Sequence, residues 1–249
     1  MNVVLSFQLL IYLLSHPPTH PLSHSSTLPL IHPPTHPLSH SSTLPLIHPP
    51  THPPSHSPPM LPAIFLDKDG TLIEDVPYNV DPALIRLGDG VATGVRRLHE
   101  AGFALVVVTN QSGVARGYFA ESAIAPIEQR LRHLLGVPLA GFYYCPHHPA
   151  GTVARYAFRC RCRKPEPGML RRAAADLNLD LERSWLVGDI LNDVEAGRRA
   201  GCRTVLLDNG NETEWLLAPS REPHQTVATF DQAADVILQH CSSALPCTP

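Results

Sequence analysis

The first 60 residues contain no Lys, Arg, Asp or Glu, so all 19 basic and 22 acidic residues fall in the rest of the chain. A segment without charge lacks the surface composition of a folded globular domain. Residues 61–249 have an ordinary composition and enough length to bury one sizeable core. The net charge of -3 gives no reason to expect a nucleic acid or an anionic membrane as a partner.

Long apolar runs are lacking as well. Residues 1–14 are apolar, but a membrane-spanning helix needs about 20 such residues. The same stretch has neither a basic n-region nor an Ala-x-Ala-like cleavage site, which argues against a signal peptide. We therefore predict a cytoplasmic protein with no membrane partner.

The uncharged segment is a repeat. Residues 16–31 recur unchanged at 32–47, and a degenerate third copy begins at His48. Proline at this density prevents helix and central strand, so we predict a disordered or polyproline-like segment. Nine of the 15 histidines lie here, which permits metal binding, but perfect identity favours a recently duplicated DNA repeat. We hypothesise that translation starts at Met60, that 1–59 is an over-extended gene start, and that 60–249 is the folded domain.

From residue 62 onward, short apolar runs alternate with segments of helical period, a pattern typical of βαβ units. The predicted strands are 63–66, 103–108, 142–144, 185–187 and 204–207. Helical periodicity begins near Val91, Ile124, Met169, Asp193 and Phe230. We therefore predict an α/β fold: a doubly wound, Rossmann-like parallel sheet of about five strands with helices on both faces.

Polar residues follow four of these strands, namely Asp67, Thr109, Cys145 and Asp189. Ligands of doubly wound sheets bind at the carboxyl ends of the strands, so these side chains are expected to meet in one crevice.

Asp67 and Asp69 are separated by one residue and come directly after the first predicted strand. A carboxylate at position 67 can attack phosphorus as a nucleophile, and one at position 69 can transfer protons. Both partners of that attack are anionic, so the site needs a cation, and oxygen ligands favour Mg²⁺. Asp189 is the natural third contributor. Asp193, one helical turn later, either serves the metal site or stabilises the start of a helix.

A phosphate-binding group is predicted after the second strand, at Thr109, Asn110, Gln111 and Ser112. A hydroxyl and adjacent backbone donors at a strand end suit a phosphate oxygen. Further along, Lys164 can offset the charge of a transferring phosphoryl group. The planar fork of Arg163 can grip a second anion.

Three cysteines cluster with a histidine in the sequence. Twelve residues separate His147, which follows Cys145 closely, from Cys160 and Cys162. Three thiolates and one imidazole complete a tetrahedral Zn²⁺ shell with no open position, which indicates a structural site in a reducing compartment. A disulfide is the alternative, and His148 is a possible substitute ligand.

The ordered motifs of the domain resemble those of the haloacid dehalogenase superfamily of phosphatases. They are Asp67-Lys68-Asp69-Gly70-Thr71, Thr109-Asn110, Lys164, and Gly188-Asp189 with Asp193. The resemblance implies that Asp67 is the nucleophile, that Asp69 is the acid/base, and that Thr109 and Lys164 stabilise the phosphoryl group. It also implies Mg²⁺ held by Asp67, Asp189 and the backbone of Asp69.

No insertion is long enough for a separate cap domain, so the zinc loop is the expected wall of the substrate pocket. This combination resembles the heptose 1,7-bisphosphate 7-phosphatase group, and the related histidinol-phosphate phosphatases usually have a shorter loop. The resemblance implies a monomeric sugar phosphate phosphatase with Asp75, Tyr78 and Arg163 at the substrate. Ile190 departs from the Lys common in the heptose group. A zinc-stabilised binding module without catalysis is the non-enzyme alternative.

Overall fold

The computed structural model describes residues 59–243. The predictions made for the repeat segment concern residues outside this part of the chain. The strands and helices below are numbered within the described residues.

Six parallel strands form one sheet in the order β3-β2-β1-β4-β5-β6. They are β1 (Leu61–Leu66), β2 (Ala104–Asn110), β3 (Gly141–Cys145), β4 (Leu179–Gly188), β5 (Arg203–Leu207) and β6 (Gln225–Val227). The predicted doubly wound sheet is confirmed, with one strand more than expected. The additional strand, β6, has only three residues, none of them buried, so it lacks the apolar run that predicts a strand.

Six α-helices cover the sheet within residues 59–243: α1 (Val91–Glu100), α2 (Gly113–Arg116), α3 (Ile124–Leu135), α4 (Gly168–Leu177), α5 (Leu191–Ala200) and α6 (Phe230–Ser243). Short 3₁₀ turns occur at 82–84, 121–123, 154–156 and 219–221. None of the described helices is both long and apolar enough to cross a membrane.

The two faces of the sheet carry separate cores. Ile64 and Leu66 of β1 pack with α1, α3 and α6, whereas Ala63 and Phe65 pack with α4 and α5. The division follows from the alternation of side chains along a strand. Because both faces are covered, the central strands are apolar throughout, and this is why they could be predicted from the sequence.

The carboxyl ends of the neighbouring strands β1 and β4 lie at the centre of the sheet. The Asp67 amide donates to the Val187 carbonyl at 3.0 Å, which continues the β1–β4 ladder one residue past β1. From β1 the chain winds to β2 and β3 on one side, and β4 begins the other side, so this pair forms the topological switch point. Asp67 and Asp189 follow these two strands directly.

Replacing the fully buried Phe65 with Ala is expected to lower the free energy of unfolding by about 3–5 kcal/mol, because it leaves a cavity beneath α4. Denaturant titration of both proteins measures the difference. The control Leu217→Ala, at a side chain that is 75% exposed, is expected to change stability by less than about 0.5 kcal/mol. A loss below about 1 kcal/mol for Phe65→Ala would contradict the packed core described here.

Candidate active site

Three buried carboxylates meet at the switch point of the sheet. Asp67 follows β1, Asp189 follows β4, and Asp193 lies in the first turn of α5. Each contributes a carboxylate oxygen to a group whose atoms all lie within 4.8 Å of one another. The predicted convergence of Asp67 and Asp189 is therefore present, and Asp193 joins them.

The ammonium of Lys164 lies among these carboxylates. It forms ion pairs with Asp67 and with Asp193, the latter at 2.6 Å, and it donates to the Val108 carbonyl at 2.9 Å. Burial opposes the charged form of this side chain, but the two carboxylates outweigh burial and raise the pKa of Lys164 above its ordinary value. Lys164 is therefore a fixed cation, and Asp193 is its second partner.

One ammonium does not balance three carboxylates. Burial raises the pKa of Asp67 well above its usual range, although Lys164 acts in the opposite direction. Burial, assisted by the charge of Asp193, raises the pKa of Asp189 to about 7. The excess of negative charge favours a bound cation, and a set of oxygen ligands suits Mg²⁺.

The turn after Asp69 brings the backbone close to the carboxylates. Gly70 has φ +78°, and a Cβ built at this position would overlap the Asp189 carboxylate. The Thr71 hydroxyl then donates to Asp189 Oδ1 at 3.3 Å. Glycine at position 70 is thus required by a close approach of two chain segments.

Asp69 lies at the edge of the group, with its side chain one third exposed. Its carboxylate pairs with Lys68 and accepts a hydrogen bond from the Gln111 amide at 3.0 Å. The same Gln111 nitrogen donates to the Thr109 hydroxyl at 2.9 Å. Gln111 therefore links the end of β2 to the second aspartate.

Asn110 holds the backbone on which Lys164 is carried. Its Nδ2 donates to the Lys164 carbonyl at 3.1 Å, and its Oδ1 accepts from the Lys164 amide at 3.0 Å. Both ends of this amide are therefore engaged with protein backbone.

A cleft of about 270 Å³ opens beside Asp69. Its lining includes six of the predicted residues: Asp69, Asp75, Tyr78, Asn110, Gln111 and Ser112. Partial burial, followed by the charge of Asp69, raises the pKa of Asp75. Tyr118, which sequence reasoning missed, packs edge-on against Tyr78 with ring centroids 4.6 Å apart.

Arg163, also predicted to contact the substrate, is not among the residues that line this cleft. Burial is the main cause that lowers the pKa of Arg163. Its Nη1 is buried and has no hydrogen-bond partner among the described residues. A buried guanidinium donor without a partner is suited to an anionic ligand.

Cys145, His147, Cys160 and Cys162 form a second group of ligand atoms, all within 4.8 Å of one another. The sulfur–sulfur distances of 3.1–3.4 Å are too long for the disulfide alternative. Hydrogen bonding with Cys145 lowers the pKa of Cys162 to about 5 and raises that of Cys145. The four atoms have the identity and proximity that tetrahedral Zn²⁺ requires.

The loop that carries these ligands is anchored on α2. The Ala115 carbonyl accepts hydrogen bonds from the amides of Thr152 and Val153 at 2.8 and 2.9 Å. His148, considered above as a substitute ligand, instead contacts Arg116 Nη2 through its Nε2 at 3.2 Å. The four-atom group therefore does not include it.

Sequence reasoning missed a polar loop, 209–212, that follows β5. Asn209 Nδ2 donates to the Gly70 carbonyl at 2.7 Å, and Asn211 Nδ2 donates to Asp189 Oδ2 at 2.8 Å. The carboxylate of Glu212 accepts from the Leu191 amide at 2.7 Å. The rule that located the other side chains, polar residues after a parallel strand, applies to this loop as well and could have indicated it.

Comparison with known proteins identifies similar chains. Residues 161–233 match the family model described as HAD-hydrolase-like. A D-glycero-beta-D-manno-heptose-1,7-bisphosphate 7-phosphatase of Yersinia pestis is 46% identical over 150 residues, which cover 59% of this chain and 80% of the relative. The enzyme of the same name from Escherichia coli K12 is 43% identical over 169 residues, or 63% of this chain and 88% of the relative.

Solved structures agree with these relatives. A HAD-like phosphatase of Mesorhizobium loti has a TM-score of 0.64 and 39% identity, with 73% of this chain and 88% of that one covered. A D,D-heptose 1,7-bisphosphate phosphatase of B. bronchiseptica, complexed with magnesium and phosphate, has a TM-score of 0.59 and 30% identity, with 72% and 99% covered. The chain thus belongs to the phosphatases of the haloacid dehalogenase superfamily.

Proposed function

We propose that this chain is a Mg²⁺-dependent phosphatase that removes the 7-phosphate of D-glycero-D-manno-heptose 1,7-bisphosphate. The observation that carries the proposal is the buried group of Asp67, Asp189 and Lys164 at the carboxyl end of the sheet. The names of the relatives from Yersinia pestis and Escherichia coli support the choice of substrate.

In the first half of the reaction, the carboxylate of Asp67 attacks phosphorus. A bond forms between its oxygen and phosphorus while the bond between phosphorus and the sugar oxygen breaks. Asp69 gives its proton to the departing oxygen, since its partly exposed carboxyl group faces the cleft. Lys164 and the Thr109 hydroxyl stabilise the charge on the phosphoryl oxygens.

In the second half, water replaces the enzyme on phosphorus. Asp69, now ionised, takes a proton from the water as the water oxygen bonds to phosphorus. The bond from phosphorus to Asp67 breaks, which releases inorganic phosphate and restores the carboxylate. Gln111 keeps Asp69 oriented throughout, because its amide bridges Asp69 and the Thr109 hydroxyl.

Asp67, Asp189 and the backbone carbonyl of Asp69 would hold the Mg²⁺ ion. When bound, the ion screens the repulsion between the anionic nucleophile and the phosphate. The oxygen-only ligands and the negative charge left over after the Lys164 ion pairs support this assignment.

We assign Arg163 to a second phosphate on the substrate. Its Nη1 has no hydrogen-bond partner among the described residues, and a guanidinium donor of this kind suits such an anion. Asp75 and Ser112, which line the cleft, are placed to contact sugar hydroxyl groups.

We further propose a structural Zn²⁺ ion on Cys145, His147, Cys160 and Cys162, which orders the loop that carries Lys164. The sulfur and imidazole atoms select a softer ion than the carboxylates do. For the protein as a whole, we propose a cytoplasmic monomer whose phosphatase domain is 60–249.

A panel of phosphate esters tests the substrate. With Mg²⁺ present, heptose 1,7-bisphosphate is expected to give the highest kcat/KM, above heptose 7-phosphate and histidinol phosphate. Asp67→Asn should lower kcat at least about 10³-fold, because the amide is no nucleophile, with an unchanged circular dichroism spectrum. The exposed control Asp89→Asn should retain activity. Preference for histidinol phosphate, or turnover by Asp67→Asn near that of the parent, would contradict the proposal.

A burst experiment tests Asp69. p-Nitrophenolate needs no proton to depart, so Asp69→Asn should still form the phosphorylated enzyme from p-nitrophenyl phosphate. Hydrolysis of that intermediate should slow by about 10²–10⁴-fold, since the water loses its general base. Stopped-flow absorbance should therefore record about one equivalent of nitrophenolate followed by slow turnover. A variant that turns over without a burst, at the parent rate, would show that Asp69 has no such role.

Elemental analysis tests the zinc site. Protein purified without chelators under reducing conditions should contain about one equivalent of zinc. Cys160→Ser should lose most of it and unfold at a lower temperature, whereas Cys241→Ser, outside the cluster, should retain it. Less than about half an equivalent in the parent protein would refute closure by four ligands.

A further inference from the structure

The polar loop 209–212 reaches the proposed metal site from outside the family motifs. It follows β5, and two of its side chains contact the turn after β1 and the residue after β4. Asn209 holds the Gly70 carbonyl at 2.7 Å, and Asn211 holds Asp189 at 2.8 Å. Neither Asn209 nor Asn211 is among the residues that line the substrate cleft.

Asn211 makes the shorter of two side-chain hydrogen bonds to Asp189. It donates to Oδ2 at 2.8 Å, whereas the Thr71 hydroxyl donates to Oδ1 at 3.3 Å. A fixed donor on one oxygen of Asp189 sets the orientation in which the other oxygen is presented.

The loop itself is fixed by Glu212. Its carboxylate accepts the Leu191 amide at 2.7 Å through Oε2 and the Glu214 amide at 2.8 Å through Oε1. The residue before α5 is Ile190, whose side chain has no acceptor for the free amides at the start of that helix. Glu212 supplies the missing acceptor, and in doing so it ties the loop to the residues that directly follow Asp189.

We propose that Asn211 is a positioning residue for the Mg²⁺ site, acting through Asp189. The inference rests on the proposed function, because it takes Asp189 as a ligand of the ion. Asn211 contributes no ligand atom and no proton. It fixes the Asp189 carboxylate in the orientation that binds the cation, so its loss should weaken Mg²⁺ binding more than it slows the chemical steps.

The test compares the full chain with Asn211→Ala and with Thr213→Ala, a control in the exposed part of the same connection. Isothermal titration with MgCl₂ alone measures affinity without substrate, and thermal unfolding without Mg²⁺ measures stability. Loss of a hydrogen bond to a ligating carboxylate should weaken binding about 10–100-fold in Asn211→Ala. The kcat for p-nitrophenyl phosphate at saturating Mg²⁺ should change less than about threefold. Thr213→Ala should match the parent in all three measurements.

Each result decides the matter. Parent-like Mg²⁺ affinity in Asn211→Ala overturns the inference, whether or not its unfolding temperature falls. An equal loss in Thr213→Ala also overturns it, since the loop rather than the amide would then matter. If the parent chain shows no saturable Mg²⁺ binding, the inference is overturned, because there is then no Mg²⁺ site for Asn211 to position. A parent chain that binds Mg²⁺ but hydrolyses no phosphate ester refutes the proposed function, and weaker binding by Asn211→Ala would still support the inference.

Discussion

The ion pairs of Lys164 are the interaction on which the rest of the site depends. A buried ammonium is tolerated only when carboxylates compensate for the water it has lost, and buried carboxylates need a cation for the same reason. Asp67, after β1, and Asp193, in α5, meet this condition. Removing Lys164 would leave the buried carboxylates without their cation, whereas removing the charge of Asp67 leaves the ammonium paired with Asp193.

Two independent supports determine where this ammonium lies. Asn110 binds the Lys164 backbone from the end of β2, and the thiol and imidazole group ends at Cys162, two residues earlier. Cys162, a soft sulfur ligand, therefore lies only two residues before Lys164, whose ammonium pairs with the carboxylates of the oxygen-ligand site. Sulfur and oxygen donors select different metals, so the two groups can lie close together without competing for one ion.

Most of the fold could be predicted because buried parallel strands are continuous apolar runs. β6 and the first half of β4 could not, since no residue of β6 is buried and Asp180, Glu182 and Arg183 interrupt the apolar residues of β4. Asp67, Thr109, Cys145 and Asp189 could be located because each directly follows or ends a strand. The sequence left the role of Asp193 open between the metal site and the helix start, and its ion pair with Lys164 supplies a third role.

Contacts between distant segments are what the sequence could not reveal. Asn211 and Asp189 are 22 residues apart, and Asn209 and Gly70 are 139 apart, with no periodic pattern connecting them. The engagement of the Asn110 amide with the Lys164 backbone is of the same kind, because it depends on how the loop that carries Cys160 and Cys162 returns to the sheet. Asparagine in a loop is typical of turns, and only the residue it contacts in the folded protein shows that it has a role at the site instead.

The close approach at Gly70 has a genetic consequence. Any single-nucleotide missense change of a glycine codon introduces a side chain, and even the smallest would overlap the Asp189 carboxylate at a φ of +78°. Missense variants at codon 70 are therefore not expected to show intermediate activities. They should behave as nulls in the same way that Asp67 variants do, although glycine takes no part in the chemistry.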